Sequence, residues 1–170
     1  RIRMKKRKLN SEDKAIIKLT LDRTPNISDE EMRRFSSKHP YVVDPFEGVD
    51  IIDCTKKYYS TENELFNDYL VRKFGKPDWV VDTFYKLSYS KGDKSLPHKD
   101  VKSSTQTTIL ILEGAIEGGE TIIEGIDRGL YSNGDYINFN GHDSLHEVKE
   151  VINGKREALI IWFNTKKQLL

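Results

Sequence analysis

From Asp82 onward the chain is a succession of short β-type runs divided by paired turn residues, with no helical periodicity among them. Candidate strands are 83–90, 105–112, 120–126, 135–140, 145–151 and 157–164. Gly118-Gly119, Asn133-Gly134, Asn140-Gly141 and Asn153-Gly154 lie between them, pairs that accept positive φ in tight turns. Several such strands in succession bury a core only by folding sheet on sheet, so the second half predicts a β-sandwich or barrel.

The first half reads differently. An apolar segment covers 15–21 and two helix signals follow. Ser28 with Glu31 forms a capping-box pattern for a helix that ends before Pro40. Thr61 with Glu64 repeats the pattern ahead of Leu65, Phe66, Tyr69, Leu70 and Phe74, which share a helical face until Gly75 and Pro77 stop it. These aromatics are predicted to pack on a sheet. The expectation is one domain over 1–170: supporting strands and helices over 1–81, and a β core over 82–165.

A chain of 170 residues with 36% hydrophobic residues and a formal charge of +1 can bury one core and has no overall pull toward nucleic acid. The basic start, Arg1 through Lys8, reads as a solvated arm, with phosphate or anionic lipid as the rival partner. No apolar run approaches the roughly 18 residues needed to span a bilayer. Neither a membrane partner nor a signal peptide is expected, and the placement is cytoplasmic. Cys54, the single cysteine, cannot form an internal disulfide and is expected to be a small buried residue.

Chemistry enters with His98-Lys99-Asp100. On a strand end, residues two apart project from one face, so an imidazole and a carboxylate there can grip one ion. His146, in Leu145-His146-Glu147-Val148 on a separate predicted strand, offers the third ligand. Two imidazoles and a carboxylate leave the opposite side of an ion open, as in the facial triad of non-haem Fe(II) oxygenases. His142, beside Asp143, competes for the third place but falls in the Asn140-Gly141 turn. His39, next to Pro40, reads as a loop residue. Arg156 begins a strand that continues Ala158-Leu159-Ile160-Ile161-Trp162-Phe163, so its charge needs a partner within a core. A guanidinium fork matches a carboxylate.

Taken in order, Tyr89-Ser90-Lys91-Gly92-Asp93, His98-Lys99-Asp100, Gly118-Gly119-Glu120-Thr121, Gly134-Asp135, His146-Glu147-Val148, and Gly154-Lys155-Arg156 with Trp162 resemble the 2-oxoglutarate and Fe(II)-dependent dioxygenases, in particular the prolyl 4-hydroxylase-like group. The resemblance covers about half the chain. It implies an α+β, mainly β fold: a double-stranded β-helix, or jelly-roll, with the N-terminal helices supporting one sheet.

It also implies iron on His98, Asp100 and His146, with 2-oxoglutarate held at its far carboxylate by Arg156 and Tyr89, and with Thr121 and Trp162 lining the same pocket. Core packing is the alternative reading of Tyr89 and Trp162, and an ordinary strand position that of Thr121. The implied reaction consumes O2, with ascorbate as reductant, releases succinate and CO2, and hydroxylates an unactivated C–H bond. Related halogenases lack the carboxylate ligand, so Asp100 argues for hydroxylation. Ile111 falls where the oxygen-sensing branch carries a second tyrosine, a departure in how the cosubstrate is held.

The favoured substrate by resemblance is a peptidyl proline, held by loops such as 41–48 or 78–82. A free amino acid or other small molecule is the runner-up. A nucleic-acid base is a third reading, supported only by the basic arm. The non-enzyme alternative is a metal-binding interaction module on the same β-fold; against it, a structural ion is normally closed by four ligands. Cupins, the rival at fold level, usually present closely spaced histidines instead of His-x-Asp.

Overall fold

The computed structural model describes residues 4–28, 30–31, 52–100 and 106–165. In chain order the elements are β1 (Arg7–Lys8), α1 (Ser11–Arg23), β2 (Asn26–Ile27), β3 (Ile52–Asp53), β4 (Thr55–Tyr59), α2 (Glu64–Phe74), β5 (Trp79–Tyr89) and β6 (Lys94–His98). There follow β7 (Gln106–Glu113), β8 (Glu117–Gly118), β9 (Thr121–Ile123), β10 (Ile126–Asp127), β11 (Asp135–Phe139), β12 (His146–Val148), β13 (Val151–Asn153) and β14 (Arg156–Thr165).

Alternation along β14 shows how these residues make two layers. Ala158, Ile160 and Trp162 join a cluster with Tyr85, Leu87, Ile109, Ile123 and Val148, drawn from both main sheets. Leu159, Ile161 and Phe163 point the other way, into a cluster with Ile17 and Leu21 of α1 and Phe66, Leu70 and Phe74 of α2. Period two on a pleated strand puts the two sets on opposite faces. Both sets are buried because β14 lies in the middle of the seven-stranded sheet, order β1-β11-β7-β14-β5-β4-β2. Each fully buried aliphatic side chain there stabilises the fold by about 1.5–3 kcal/mol.

The opposing sheet has five strands, order β10-β9-β12-β6-β3, and β13 pairs with β8 in a short third ribbon. Every pairing is antiparallel. Two antiparallel sheets face to face, with helices on the outer side of the larger one, make a double-stranded β-helix. No helix among the described residues is long and apolar enough to cross a membrane.

Several expectations shift in detail. The 15–21 segment is part of α1, capped by Asn10, whose side-chain oxygen accepts from the Asp13 N–H at 2.8 Å. Only Ile17 and Leu21 are buried apolar residues of that helix, while Ile16 and Leu19 are exposed, which blurs the stripe in the sequence. Asn63, not Thr61, caps α2: its side chain accepts from the Phe66 N–H at 3.1 Å, and Leu65 faces solvent. Ser28 and Glu31 do form the reciprocal capping box, each N–H donating to the other's side chain at 3.1 Å; the rest of that helix, Pro40, His39 and the 41–48 loop lie outside the described residues.

Most of the 78–82 segment is the start of β5 and not a loop, since Trp79 through Val81 pair with Phe163 through Thr165. The 120–126 run folds back as the hairpin β9–β10, and the 145–151 run divides into β12 and β13. Strands β3 and β4, from before Asp82, extend both main sheets.

Candidate metal centre

His98 ends β6 and His146 begins β12, and the two face each other as register partners across the antiparallel pair. Their ring centroids are 4.3 Å apart, tilted by 54°. Two residues past His98, Asp100 is fixed by its backbone N–H, which donates to the Gly141 carbonyl at 2.8 Å. Its Oδ1 lies 3.2 Å from His146 Nε2 and 3.8 Å from His98 Nε2. The three donor atoms lie within 4.8 Å of one another, a spacing that suits one divalent cation.

Hydrogen bonds behind these groups set their chemistry. His98 Nδ1 lies 2.7 Å from the Leu96 carbonyl and His146 Nδ1 lies 2.8 Å from the Ser144 carbonyl. A carbonyl only accepts, so each Nδ1 carries the proton and each Nε2 presents a lone pair. Thr107 Oγ1 donates to Asp100 Oδ2 at 2.8 Å, leaving Oδ1 for the centre. Gly141 closes tightly over this pair: a Cβ there would sit 1.9 Å from Asp100 Oδ2 and 2.6 Å from Thr107 Oγ1.

Burial and the neighbouring His146 hold the His98 imidazole below its usual pKa. For His146 burial acts downward as well, but the Asp100 carboxylate outweighs it and the pKa is raised. Asp100 is held below the usual carboxylate range: burial opposes ionisation, and the hydrogen bonds from His146 and Thr107 together overcome it. His142 stands apart from this centre, its Nδ1 3.4 Å from the Asp100 carbonyl oxygen and its backbone N–H in the Asn140 turn.

Arg156 is the first residue of β14, on the face toward the opposing sheet, and is only 1% exposed. Its Nη2 donates to Thr121 Oγ1 at 2.9 Å, while Nε and Nη1 have no hydrogen-bond partner among the described residues. Burial lowers its pKa, outweighing the opposing pull of Tyr89 and Cys54. A buried guanidinium with unused N–H groups carries a desolvation cost that an anion would offset.

One cavity connects this guanidinium to the His/Asp/His cluster, walled by Leu87, Ile109, Val148 and Ile160, with Tyr89 and Ser95 beside the arginine. Tyr89 Oη and Ser95 Oγ are 2.7 Å apart. Thr121 meets the guanidinium but does not line this cavity. Trp162 does not line it either: it packs edge-on against Tyr85 with centroids 5.8 Å apart, and its Nε1 has no hydrogen-bond partner among the described residues. Ile111 is fully buried in the inter-sheet core. Cys54 is half-buried against the same core, and burial pushes its thiol up to about 11. Thr107, Ser95 and Ser144 had no signal of their own in the sequence, because register alone brings them to the site.

No family model matches the sequence, and no curated protein matches it. Solved structures match the fold. A viral collagen prolyl hydroxylase from Paramecium Bursaria Chlorella virus-1, in a 2OG complex, aligns at TM-score 0.53 and 14% identity over 82% of this chain and 91% of that one. A Pseudomonas putida prolyl-4-hydroxylase aligns at 0.51 and 13% over 82% and 89%. A prolyl hydroxylase from Trichoplax adhaerens, in complex with a hypoxia inducible factor oxygen degradation domain peptide fragment, aligns at 0.52 and 15% over 70% and 67%. At these identities the likeness is one of fold.

Proposed function

We propose that this chain is an Fe(II)- and 2-oxoglutarate-dependent dioxygenase that hydroxylates an unactivated C–H bond, with a peptidyl proline as the favoured substrate. The observation that carries the reading is Arg156: a buried guanidinium with two nitrogens lacking partners among the described residues, lining the same cavity as three converging metal donors. A dicarboxylate with a keto acid at one end and a free carboxylate at the other meets both needs. The peptide preference is supported by two alignments, to a collagen prolyl hydroxylase and to a prolyl hydroxylase bound to a peptide fragment.

In this role His98, Asp100 and His146 would hold iron on one side and leave the other open. Iron, 2-oxoglutarate and O2 together supply the oxidant for the C–H bond, with succinate and CO2 released and ascorbate keeping the metal reduced. The chain's own work is positional. Thr107 keeps one carboxylate oxygen of Asp100 turned to the metal, and Leu96 and Ser144 hold both imidazoles in the ligating tautomer. Arg156 fixes the far carboxylate, and Leu87, Ile109 and Ile160 keep water from the cavity between.

The test is succinate formation from 2-oxoglutarate with Fe(II) and ascorbate, with and without pooled proline-containing peptides, in wild type and in His146→Ala, Asp100→Ala and Arg156→Ala. Turnover abolished by the two ligand changes, and weakened by Arg156→Ala mainly through the KM for 2-oxoglutarate, establishes the class. A product mass gain of one oxygen then identifies the substrate. Folded protein that binds no iron would overturn the reading.

A further inference from the structure

Glu124 is the only non-glycine residue at positive φ among the described residues, at 54°. With Gly125 at 76° it forms the two-residue turn of the β9–β10 hairpin, in which Ile123 pairs with Ile126. Turns of this kind, with positive φ at both central positions, favour Asn, Asp or Gly at the first, and a glutamate there is backbone strain.

What Glu124 does with its polar groups accounts for the strain. Its backbone N–H donates to the Leu145 carbonyl at 2.8 Å, and its Oε1 accepts from Ser144 Oγ at 3.2 Å. Its other oxygen faces Arg128 Nη2 at 3.9 Å, and that guanidinium is itself anchored on the Ile123 carbonyl at 2.8 and 3.1 Å. Glu124 therefore grips both residues that precede His146. The Ser144 carbonyl is the acceptor for His146 Nδ1, and the Ser144 N–H donates to Asn140, in the same turn whose Gly141 carbonyl holds Asp100.

We infer that Glu124 is a positioning residue for the metal centre: through Ser144 it holds the carbonyl that fixes the tautomer and direction of the His146 ring. It touches neither metal nor substrate. The inference rests on the reading of His98, Asp100 and His146 as metal ligands.

Glu124→Gly separates positioning from folding, because it removes the carboxylate and relieves the left-handed strain at once. The measurements are the Co(II) dissociation constant, followed by the visible absorption of the bound ion, and the Tm of the metal-free protein. Wild type binds Co(II); Glu124→Gly keeps or raises the Tm yet binds Co(II) about tenfold or more weakly, the size of effect seen when a ligand's supporting partner is lost. Glu124→Gln, whose amide oxygen still accepts from Ser144, stays within a few-fold of wild type. Wild-type affinity in Glu124→Gly overturns the inference, as does equal weakening in both variants or a lowered Tm that accompanies the loss. Failure of the wild type itself to bind Co(II) would instead remove the metal-site reading on which the inference stands.

Discussion

Arg156 and Tyr89 stand opposite each other on β14 and β5, the guanidinium carbon 4.9 Å from the centre of the phenol ring and both residues 1% exposed. The ring face offsets part of the buried charge but accepts no in-plane hydrogen bond. Beyond the bond from Nη2 to Thr121, Nε and Nη1 have no hydrogen-bond partner among the described residues, a state that suits a carboxylate.

That arrangement sets stability against function. Arg156→Met removes an only partly compensated buried charge and fills similar volume, so its Tm in the absence of 2-oxoglutarate should exceed that of wild type. Wild type loaded with Co(II) should gain about 2.7 kcal/mol from 2-oxoglutarate at a hundred times its Kd, and Arg156→Met should gain almost none. Thermal denaturation with and without the cosubstrate measures both, and a cosubstrate-free Tm below wild type would mean that the guanidinium is already satisfied.

Thr107→Val keeps the side-chain shape and deletes the donor to Asp100 Oδ2. The freed oxygen can then compete for the metal or turn the carboxylate away. Metal affinity should fall about tenfold, with a folding cost of about 1 kcal/mol. Isothermal titration with Co(II) and urea unfolding give the two numbers, and unchanged affinity would remove Thr107 from the site.

Away from the cavity, Asp13 on α1 accepts from the Tyr69 hydroxyl at 2.8 Å and pairs with Lys73 at 3.0 Å, both on α2. The Tyr69 hydrogen bond, then Lys73, hold the Asp13 carboxyl below its usual pKa. A lowered carboxylate pKa contributes stability above the unfolded value of about 4 and loses it as pH falls from there through the folded value. Wild type should therefore exceed Asp13→Asn in stability at pH 6, and the gap should close as acid is added below pH 4. Urea midpoints across that range test it, and a gap that widens in acid reverses the sign.

Leu159, fully buried between α1, α2 and the seven-stranded sheet, faces away from the cavity. Leu159→Ala should cost 2–5 kcal/mol, order-of-magnitude values for a core truncation, while the fraction that remains folded keeps the wild-type Kd for 2-oxoglutarate. Denaturant midpoints and ligand titration separate these outcomes, and a weakened Kd would show that strain crosses the sheet.

Most of the β framework was readable because its signals are local. The Asn-Gly and Gly-Gly pairs mark real breaks between strands, and the run from Ala158 to Phe163 is the central strand. His98, Asp100 and His146 could be singled out because few histidines exist to choose from and the His-x-Asp spacing is itself a geometric statement. What resisted reading depends on tertiary context. Two buried apolar residues do not make α1 stand out from an apolar run, and Asn63 prevails over Thr61 as a cap only in the folded chain. Thr107, Ser144 and Glu124 reach the site through pairing register and turn geometry, neither of which leaves a pattern in the residues themselves.

Along β14 every second side chain looks toward the opposing sheet and every other one looks at the helices. Heredity will therefore see this strand as two interleaved texts. Changes at Leu159, Ile161 and Phe163 can be compensated by partners on α1 and α2, so these positions are free to drift in concert with them. Arg156, Ala158 and Ile160 face the opposing sheet and have no helix to drift with, so divergence along the strand should rise and fall with a period of two residues.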